Sequence, residues 1–350
     1  MSHNAAVVGF GGMGHGHHAN FINAKPYMNL SGIYDIDKSK IEEAKKLGFH
    51  TYSSLDELLN DSSVDLVTVA TPNDSHKEIC IKAMNAGKNV VCEKPVTLSV
   101  KDFDDMTDAA KKNNVIFTVH QNRRWDPDFM MVKDLYHNKD IGNIFNIESR
   151  VHGSRGIPGD WRGMKAHGGG MLYDWGVHLI DQALFMTDGL KLSEISCTLT
   201  NLTNKEVDDG FFADLIFENG LRYHIELGTY NFISLPRFYV LGEMGSAEIK
   251  HWGSDCDVVR CKEWHESHIT PVAASNGLTK TMAPRNEITT ETYTIKSPDI
   301  LYDAFYQNVW DAIDGKCGQF IKHEQLRRVL RVIELCFESN EKQQIIKVNL

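Results

Sequence analysis

Three side chains suited to proton chemistry lie on one predicted helix, "MLYDWGVHLIDQ". Asp174, His178 and Asp181 are spaced so that, at about 100° per residue, they fall within one narrow stripe. Histidine is the side chain best suited to taking a proton near neutral pH. The stripe therefore predicts a general base flanked by carboxylates. A core histidine satisfied by a neighbouring aspartate, or a stripe that faces water, fits the same spacing equally well.

Polar residues also follow three predicted strands, in the segments 71–73 (TPN), 93–95 (EKP) and 120–124 (HQNRR). Ligands of open α/β sheets bind outside the carboxyl ends of the strands, so these segments are placed to contact one. The ends of strands are also simply solvated, and Lys94 taken alone fits that description. Pro95 stiffens the chain after the lysine and favours a fixed role.

A glycine turn near the start of the chain, "GFGGMGHGHH", lies between a predicted strand, "AAVVGF", and a predicted helix, "HHANFINA". Gly9, Gly11 and Gly14 have the G-x-G-x-x-G spacing that binds dinucleotides in this context. The first glycine allows the tight turn, the second lets the backbone approach a pyrophosphate, and the third lets helix and strand pack closely.

A second predicted strand, "LSGIYD", ends at Asp35, where an acid that binds the ribose hydroxyls belongs. Such a carboxylate repels a 2′-phosphate and favours NAD over NADP, although Lys38 and Lys40 follow closely. The alternative is a glycine turn with a solvated aspartate.

The elements that carry these motifs predict two domains. Alternating strands and helices over residues 1–123 predict a doubly wound parallel sheet of Rossmann type. Residues 124–350 predict an α/β domain with a large, open, mostly antiparallel sheet, since consecutive strands are joined by hairpins such as 218–220. The weakly patterned residues 253–290 predict a long loop, and the two C-terminal helices are expected to pack back on the first domain.

Composition excludes several classes of function. A net charge of −10 disfavours nucleic-acid binding, and no apolar run approaches the ~18 residues of a membrane span. No secretion signal is evident, and seven scattered cysteines favour reduced thiols in a cytoplasmic protein.

Metal binding is the minor interpretation at two places, and we expect no metal. One is the histidine group His15, His17 and His18. The other is a group of cysteines and histidines in the second domain, whose spacing matches no known zinc pattern: Cys256, Cys261, His251, His265 and His268.

The glycine turn, Asp35, the TPN and EKP segments and the Asp174-x-x-x-His178 helix together resemble the Gfo/Idh/MocA oxidoreductases. The resemblance spans nearly the whole chain, and "HQNRRWDPD" with "GGGMLYDWGVHLIDQ" looks most like the scyllo-inositol dehydrogenase branch. Some enzymes of that branch prefer NADP, whereas Asp35 argues for NAD here.

The resemblance implies a Rossmann domain, an open-sheet domain and chemistry on polyols or sugars. It implies that Lys94, Asp174 and His178 are catalytic. The expected cofactor contacts are Gly9, Gly11, Gly12, Met13, Gly14, Asp35, Thr71, Pro72, Asn73, His76, Glu93, Lys94 and Asn122. The expected substrate contacts are Arg124, Trp125, Trp161, Arg162, Tyr173 and Asp181.

We therefore expect NAD-dependent oxidation of a secondary alcohol on a cyclic polyol or sugar (an inositol, a hexose or a glycoside), with His178 taking the hydroxyl proton and Lys94 stabilising charge on the same oxygen. One alternative is a glycosidase or lyase that recycles NAD through a transient keto-sugar. Another is a non-catalytic, dinucleotide-dependent regulator. An open sheet face predicts a homodimer or homotetramer.

Overall fold

A computed structural model describes residues 3–264, 269–285, 287–301 and 303–350. Its first sheet has five strands, all paired in parallel, in the order β2-β1-β3-β4-β5. The strands are β1 (His3–Val8), β2 (Met28–Tyr34), β3 (Leu66–Val69), β4 (Asn89–Cys92) and β5 (Phe117–Val119).

The outer edge of β2 carries one further parallel bridge, between Ile33 and Thr51. With that bridge counted as a reduced strand, the order becomes the 3-2-1-4-5-6 order of dinucleotide-binding sheets. The predicted Rossmann sheet is confirmed. Its helices are α1 (Asn20–Ala24), α2 (Lys38–Lys46), α3 (Leu55–Asn60), α4 (His76–Asn85) and α5 (Val100–Asn113).

Local sequence explains where these helices begin. A wide helical turn at Gly14–Ala19 precedes α1, so the first helix starts directly from the glycine turn. The Ser99 side chain accepts a hydrogen bond from the Asp102 N–H at 3.1 Å, which caps α5 as its sequence predicts.

The second sheet has nine strands in the order β15-β12-β11-β10-β6-β9-β8-β7-β16, and among these pairs only β6 and β9 are parallel. A separate hairpin joins β13 to β14. The strands are β6 (Ile144–His152), β7 (Leu192–Thr200), β8 (Gly210–Phe217), β9 (Arg222–Gly228), β10 (Phe238–Gly242), β11 (Gly245–Ile249), β12 (Cys256–Cys261), β13 (Val272–Ala274), β14 (Gly277–Thr279), β15 (Thr290–Ile295) and β16 (Ile346–Lys347).

This sheet confirms the predicted architecture and corrects one detail. The expected loop at 253–290 contains β12 and the β13–β14 hairpin. In β12 the buried Val258 is followed by the more exposed Val259 and Arg260, and this short pattern did not indicate a strand. His265 and His268 lie outside the described residues.

Helices cover one face of the second sheet: α6 (Pro127–Asn138), α7 (Val177–Met186) and α9 (His323–Lys342). The other face carries charged side chains such as Arg150, which donates to Glu226 at 3.1 Å. Helix α8 (Ala304–Ile313) instead contributes Phe305, Tyr306 and Trp310 to the core around the first sheet.

Candidate active site

The glycine turn has the geometry that its spacing predicts. Gly9 has φ +93°, and a Cβ there would lie 2.6 Å from the Ala70 carbonyl oxygen. A Cβ on Gly14 would lie 1.8 Å from the Gly9 oxygen, so helix and strand contact each other through the glycines themselves. At Gly11 and Gly12 an added Cβ meets nothing within 4 Å. This open backbone, with Met13 following it, fits a dinucleotide pyrophosphate.

Asp35 lies at the end of β2, beside the glycine turn. One of its carboxylate oxygens accepts a hydrogen bond from the Phe10 N–H at 2.6 Å, and the other accepts from the Asp37 N–H at 2.8 Å. The turn and the acid are thus tied to each other directly. A carboxylate oxygen accepts more than one bond, so Asp35 retains acceptor capacity for ribose hydroxyls.

The TPN segment follows β3, and its side chains are largely occupied within the protein. The Thr71 hydroxyl accepts from Ser75 at 2.7 Å. Asn73 is buried and donates to the Gly168 carbonyl at 2.9 Å, which joins the first domain to a loop of the second. The Asn73 amide therefore takes part in an inter-domain bond, and Pro72 and the Thr71 backbone lie at the strand end.

His76 and Glu93 also differ from the expected cofactor contacts, because both are buried. The two ring nitrogens of His76 lie 2.9 Å from the Thr71 oxygen and 3.0 Å from the Pro95 oxygen. His76 thereby bridges the TPN and EKP segments and fixes their relative positions.

Glu93 lies among histidines. Its Oε1 is 2.8 Å from both His18 Nε2 and His120 Nδ1, and His18 Nδ1 is 2.6 Å from the Tyr306 hydroxyl. Burial raises the pKa of a carboxyl group, but His120 and His18 hold the pKa of Glu93 well below its usual value. Glu93 is therefore ionised, and its contacts with His18 and His120 fix the chain directly before Lys94.

His17, His18 and His120 bring one ligand atom each within 4.8 Å of one another. Burial and the neighbouring histidines lower the pKa of His17 to about 4, so its ring is neutral. Both nitrogens of His18 are already engaged by Glu93 and Tyr306. The structure therefore favours a hydrogen-bonded network for His18 over a metal ligand.

Lys94 and Asp174 come together across the two domains. The Lys94 ammonium donates to the Asp174 Oδ1 at 2.9 Å and to the Asp174 backbone oxygen at 2.7 Å. Arg162 Nε lies 3.4 Å from the other carboxylate oxygen. Burial raises the pKa of Asp174, but Lys94 and Arg162 outweigh burial and keep that pKa below its usual value. Asp174 is thus ionised between two cations.

His178 lies one turn beyond Asp174, in α7, after a wide turn at Leu172–Gly176. Only 5% of the residue is exposed, and its Nδ1 has no hydrogen-bond partner in the described part of the chain. Burial and the charges of Lys94 and Arg123 hold the pKa of His178 well below its usual value. The ring is therefore a neutral imidazole with an unsatisfied nitrogen, close to the Lys94 charge.

Arg124 and Asp181, expected to contact substrate, instead pair with each other. Arg124 donates to the two Asp181 oxygens at 2.8 and 2.7 Å, and both side chains are almost fully buried. Gln325 of α9 accepts a third bond from Arg124 at 2.8 Å. Each charge is satisfied within the protein, and the pair connects α7 to the segment before α6.

Two aromatic residues expected at the substrate also pack elsewhere. The Trp125 ring lies 5.0 Å from that of Phe320. Tyr173 donates to the Leu98 carbonyl at 3.1 Å, and its ring lies 5.1 Å from that of Phe337. These contacts are part of the core packing.

Trp161 remains beside the site, with the Arg162 guanidinium 4.7 Å from its ring. Asn122 begins the short helical turn that carries Arg123.

A pocket of about 310 Å³ lies beside His178, and the sequence analysis identified few of the residues that line it. The Trp175 ring is 6.1 Å from the His178 ring and forms part of the pocket. The lining includes Arg123, His152, Met171, Trp175, Thr229 and Trp252. Trp175 lay within the quoted helix motif, but Trp252 lies in a loop with no motif to mark it.

None of the helices in the described ranges is long and apolar enough to cross a membrane.

A dinucleotide-binding sheet whose strand ends face a buried lysine, aspartate and histidine defines a nicotinamide-dependent oxidoreductase. The chain belongs to the Gfo/Idh/MocA family. Residues 3–121 match the model "Oxidoreductase family, NAD-binding Rossmann fold", and residues 129–248 match the "GFO/IDH/MocA C-terminal domain". The first domain is therefore an NAD-binding Rossmann domain, and the chain is an oxidoreductase.

Several known proteins are similar over most of their length. A solved structure of an NAD-binding protein from Listeria innocua is 44% identical, with a TM-score of 0.95 over 99% of both chains. The scyllo-inositol 2-dehydrogenase (NADP(+)) IolW of Bacillus subtilis is 28% identical over 92% of this chain and 90% of its own. The 2,7-anhydro-N-acetylneuraminate hydratase of Escherichia coli is 32% identical over 70% of this chain and 67% of its own.

Proposed function

We propose that this protein catalyses the NAD-dependent oxidation of a secondary alcohol on a cyclic polyol or sugar. The observation that carries the proposal is the contact of Lys94, from the first domain, with Asp174, which lies one helical turn before His178 in the second. The similarity to an inositol dehydrogenase supports the choice of substrate class.

Each residue of this cluster has a distinct task. A lysine ammonium has three N–H donors, and Asp174 accepts two of those of Lys94. The third donor is available for the substrate oxygen, where it stabilises negative charge as the alcohol becomes a ketone. Asp174, which Arg162 contacts through its other oxygen, holds the ammonium in place.

His178 takes the hydroxyl proton. Its lowered pKa keeps the imidazole neutral, as a general base must be. The positive charge of Lys94 limits protonation of the His178 ring before substrate binds. NAD, when bound at the glycine turn, supplies the acceptor for the hydride. Gly11, Gly12 and Asp35 would hold it, and Asp35 favours NAD over NADP.

The test is to mix the purified protein with NAD and a panel of inositols, hexoses and glycosides and to follow the absorbance of NADH. We expect turnover of at least one cyclic polyol or sugar. Absence of turnover across the panel, with NAD binding intact, contradicts the proposal.

A second function is favoured by the similarity to the anhydro-sugar hydratase. In that case the same residues would hold the sugar while bound NAD would take its hydride and later return it to the keto group, and between these two steps a substituent would be lost or water added. Product release without net formation of NADH distinguishes this cycle from a simple dehydrogenase.

A further inference from the structure

Arg123 occupies a corner between two indole rings beside His178. Its guanidinium carbon lies 4.2 Å from the Trp175 ring centre and 5.2 Å from the Trp252 ring centre. The two rings are 5.8 Å apart and tilted by 52°. A guanidinium stacked on aromatic faces keeps its N–H donors at its edge, in the fork that matches a carboxylate.

Only part of that edge is occupied. Nη1 of Arg123 donates to Asp126 at 3.0 Å, and no other residue in the described ranges accepts a hydrogen bond from this guanidinium. Burial raises the pKa of Asp126 to about 6 even beside Arg123, so this carboxyl group is still mainly ionised at neutral pH. The remaining donors belong to a residue that lines the pocket.

Three cations and three carboxyl groups lie around the reaction centre. Lys94 and Arg162 pair with Asp174, Arg123 pairs with Asp126, and the ionised Glu93 precedes Lys94 in the chain. The further partner of Arg162, Asp160, has a side chain that is 45% exposed and is therefore screened by solvent. Lys94 and Arg123 both lower the pKa of His178, whereas Glu93 raises it, so a substrate anion is favoured by the unoccupied donors of Arg123 and not by net charge.

We propose that the sugar or polyol oxidised by this enzyme carries a carboxylate, and that Arg123 is the residue that binds it. This inference rests on the function proposed above. The carboxylate accepts two hydrogen bonds from the edge of Arg123, the ring of the sugar lies in the pocket that Arg123, Trp175 and Trp252 line, and the alcohol to be oxidised lies towards Lys94 and His178. The fork of a guanidinium matches the two oxygens of a carboxylate in a bidentate pair.

The experiment compares neutral sugars with the matching acids and phosphates: glucose with glucuronate and glucose 6-phosphate, and galactose with galacturonate. Each is assayed with NAD for kcat/KM. We expect at least one acid to exceed its neutral parent by about 10- to 100-fold, the range of one or two hydrogen bonds to a charged group. In Arg123→Gln and Arg123→Lys this acid-to-neutral ratio should fall by a similar factor.

Arg327→Gln is the matched control, because Arg327 is exposed on α9 and pairs with Asp104 outside the pocket. It should leave the ratio unchanged. NAD affinity and melting temperature show whether each variant is folded. If Arg123→Gln does not fold, the acid-to-neutral ratio of Arg123→Lys is the test of the proposal.

Turnover of neutral sugars with no preference for acids overturns the carboxylate proposal and leaves the oxidoreductase proposal intact. A preference for the phosphate over the acid also overturns it. Failure of every sugar, neutral and acidic, counts against the proposed function itself.

Discussion

Three glycine-to-alanine substitutions in the glycine turn separate folding from cofactor binding. Gly14→Ala places a Cβ 1.8 Å from the Gly9 carbonyl oxygen, whereas ordinary contact begins at 3.4 Å. The obstacle is backbone, so strand and helix must separate by more than 1 Å. Overpacking of this kind costs about 1–3 kcal/mol, and a backbone obstacle places the loss of unfolding free energy at the upper end.

Gly11→Ala should leave the stability of the fold intact and weaken the binding of NAD. Its Cβ meets nothing within 4 Å, and Gly11 is not among the residues with positive φ, so folding is unaffected or gains about 0.4–1 kcal/mol. The added methyl group occupies the space through which the pyrophosphate approaches the backbone amides. Loss of one such charged hydrogen bond predicts NAD binding about 10- to 100-fold weaker.

Gly16→Ala is the control, since Gly16 is exposed and its Cβ also meets nothing within 4 Å. Urea unfolding gives the stability of each variant, and titration calorimetry gives its NAD affinity. The reasoning is refuted if Gly14→Ala unfolds like the wild type, or if Gly11→Ala binds NAD as tightly as Gly16→Ala does.

Four further predictions test the remaining assignments. His178→Asn should lower kcat by about 10²- to 10⁴-fold while NAD affinity persists, and an unchanged kcat removes His178 from the mechanism. Because the pKa of His178 is held well below its usual value of 6.5, the oxidation rate should stay level as pH falls through 6.5 and decline only at lower pH; a half-maximal rate near pH 6.5 contradicts this. Asp35→Ser should raise the ratio of kcat/KM for NADP to that for NAD, measured in parallel, although loss of the bond to the Phe10 N–H also lowers stability. Arg124→Met should lower the free energy of unfolding by about 3–5 kcal/mol, since Asp181 is left charged and buried; Arg124→Met combined with Asp181→Leu should recover most of that loss in urea unfolding.

Much of the fold could be predicted because its signals are local. A glycine turn between an apolar strand and a helix allows few backbone paths, and Asp35 follows the next strand at a fixed distance along the chain. The Gly9 and Gly14 contacts confirm that reasoning at atomic distance. Strand β12 was missed because it is short and each of its faces mixes apolar residues with one charged residue, Asp257 or Arg260.

Local patterns along the chain were enough to predict the Rossmann domain, the glycine turn with Asp35, and the residue types that a hydride-transfer site requires. Which of these residues contact one another became evident from the folded structure alone. Arg123 and Arg124 are adjacent and chemically identical, yet one lines the pocket and the other is buried against Asp181. The direction of each side chain depends on the short helical turn that carries them and on how the two domains pack together. That packing sums many weak contacts between distant residues, and no local pattern encodes it.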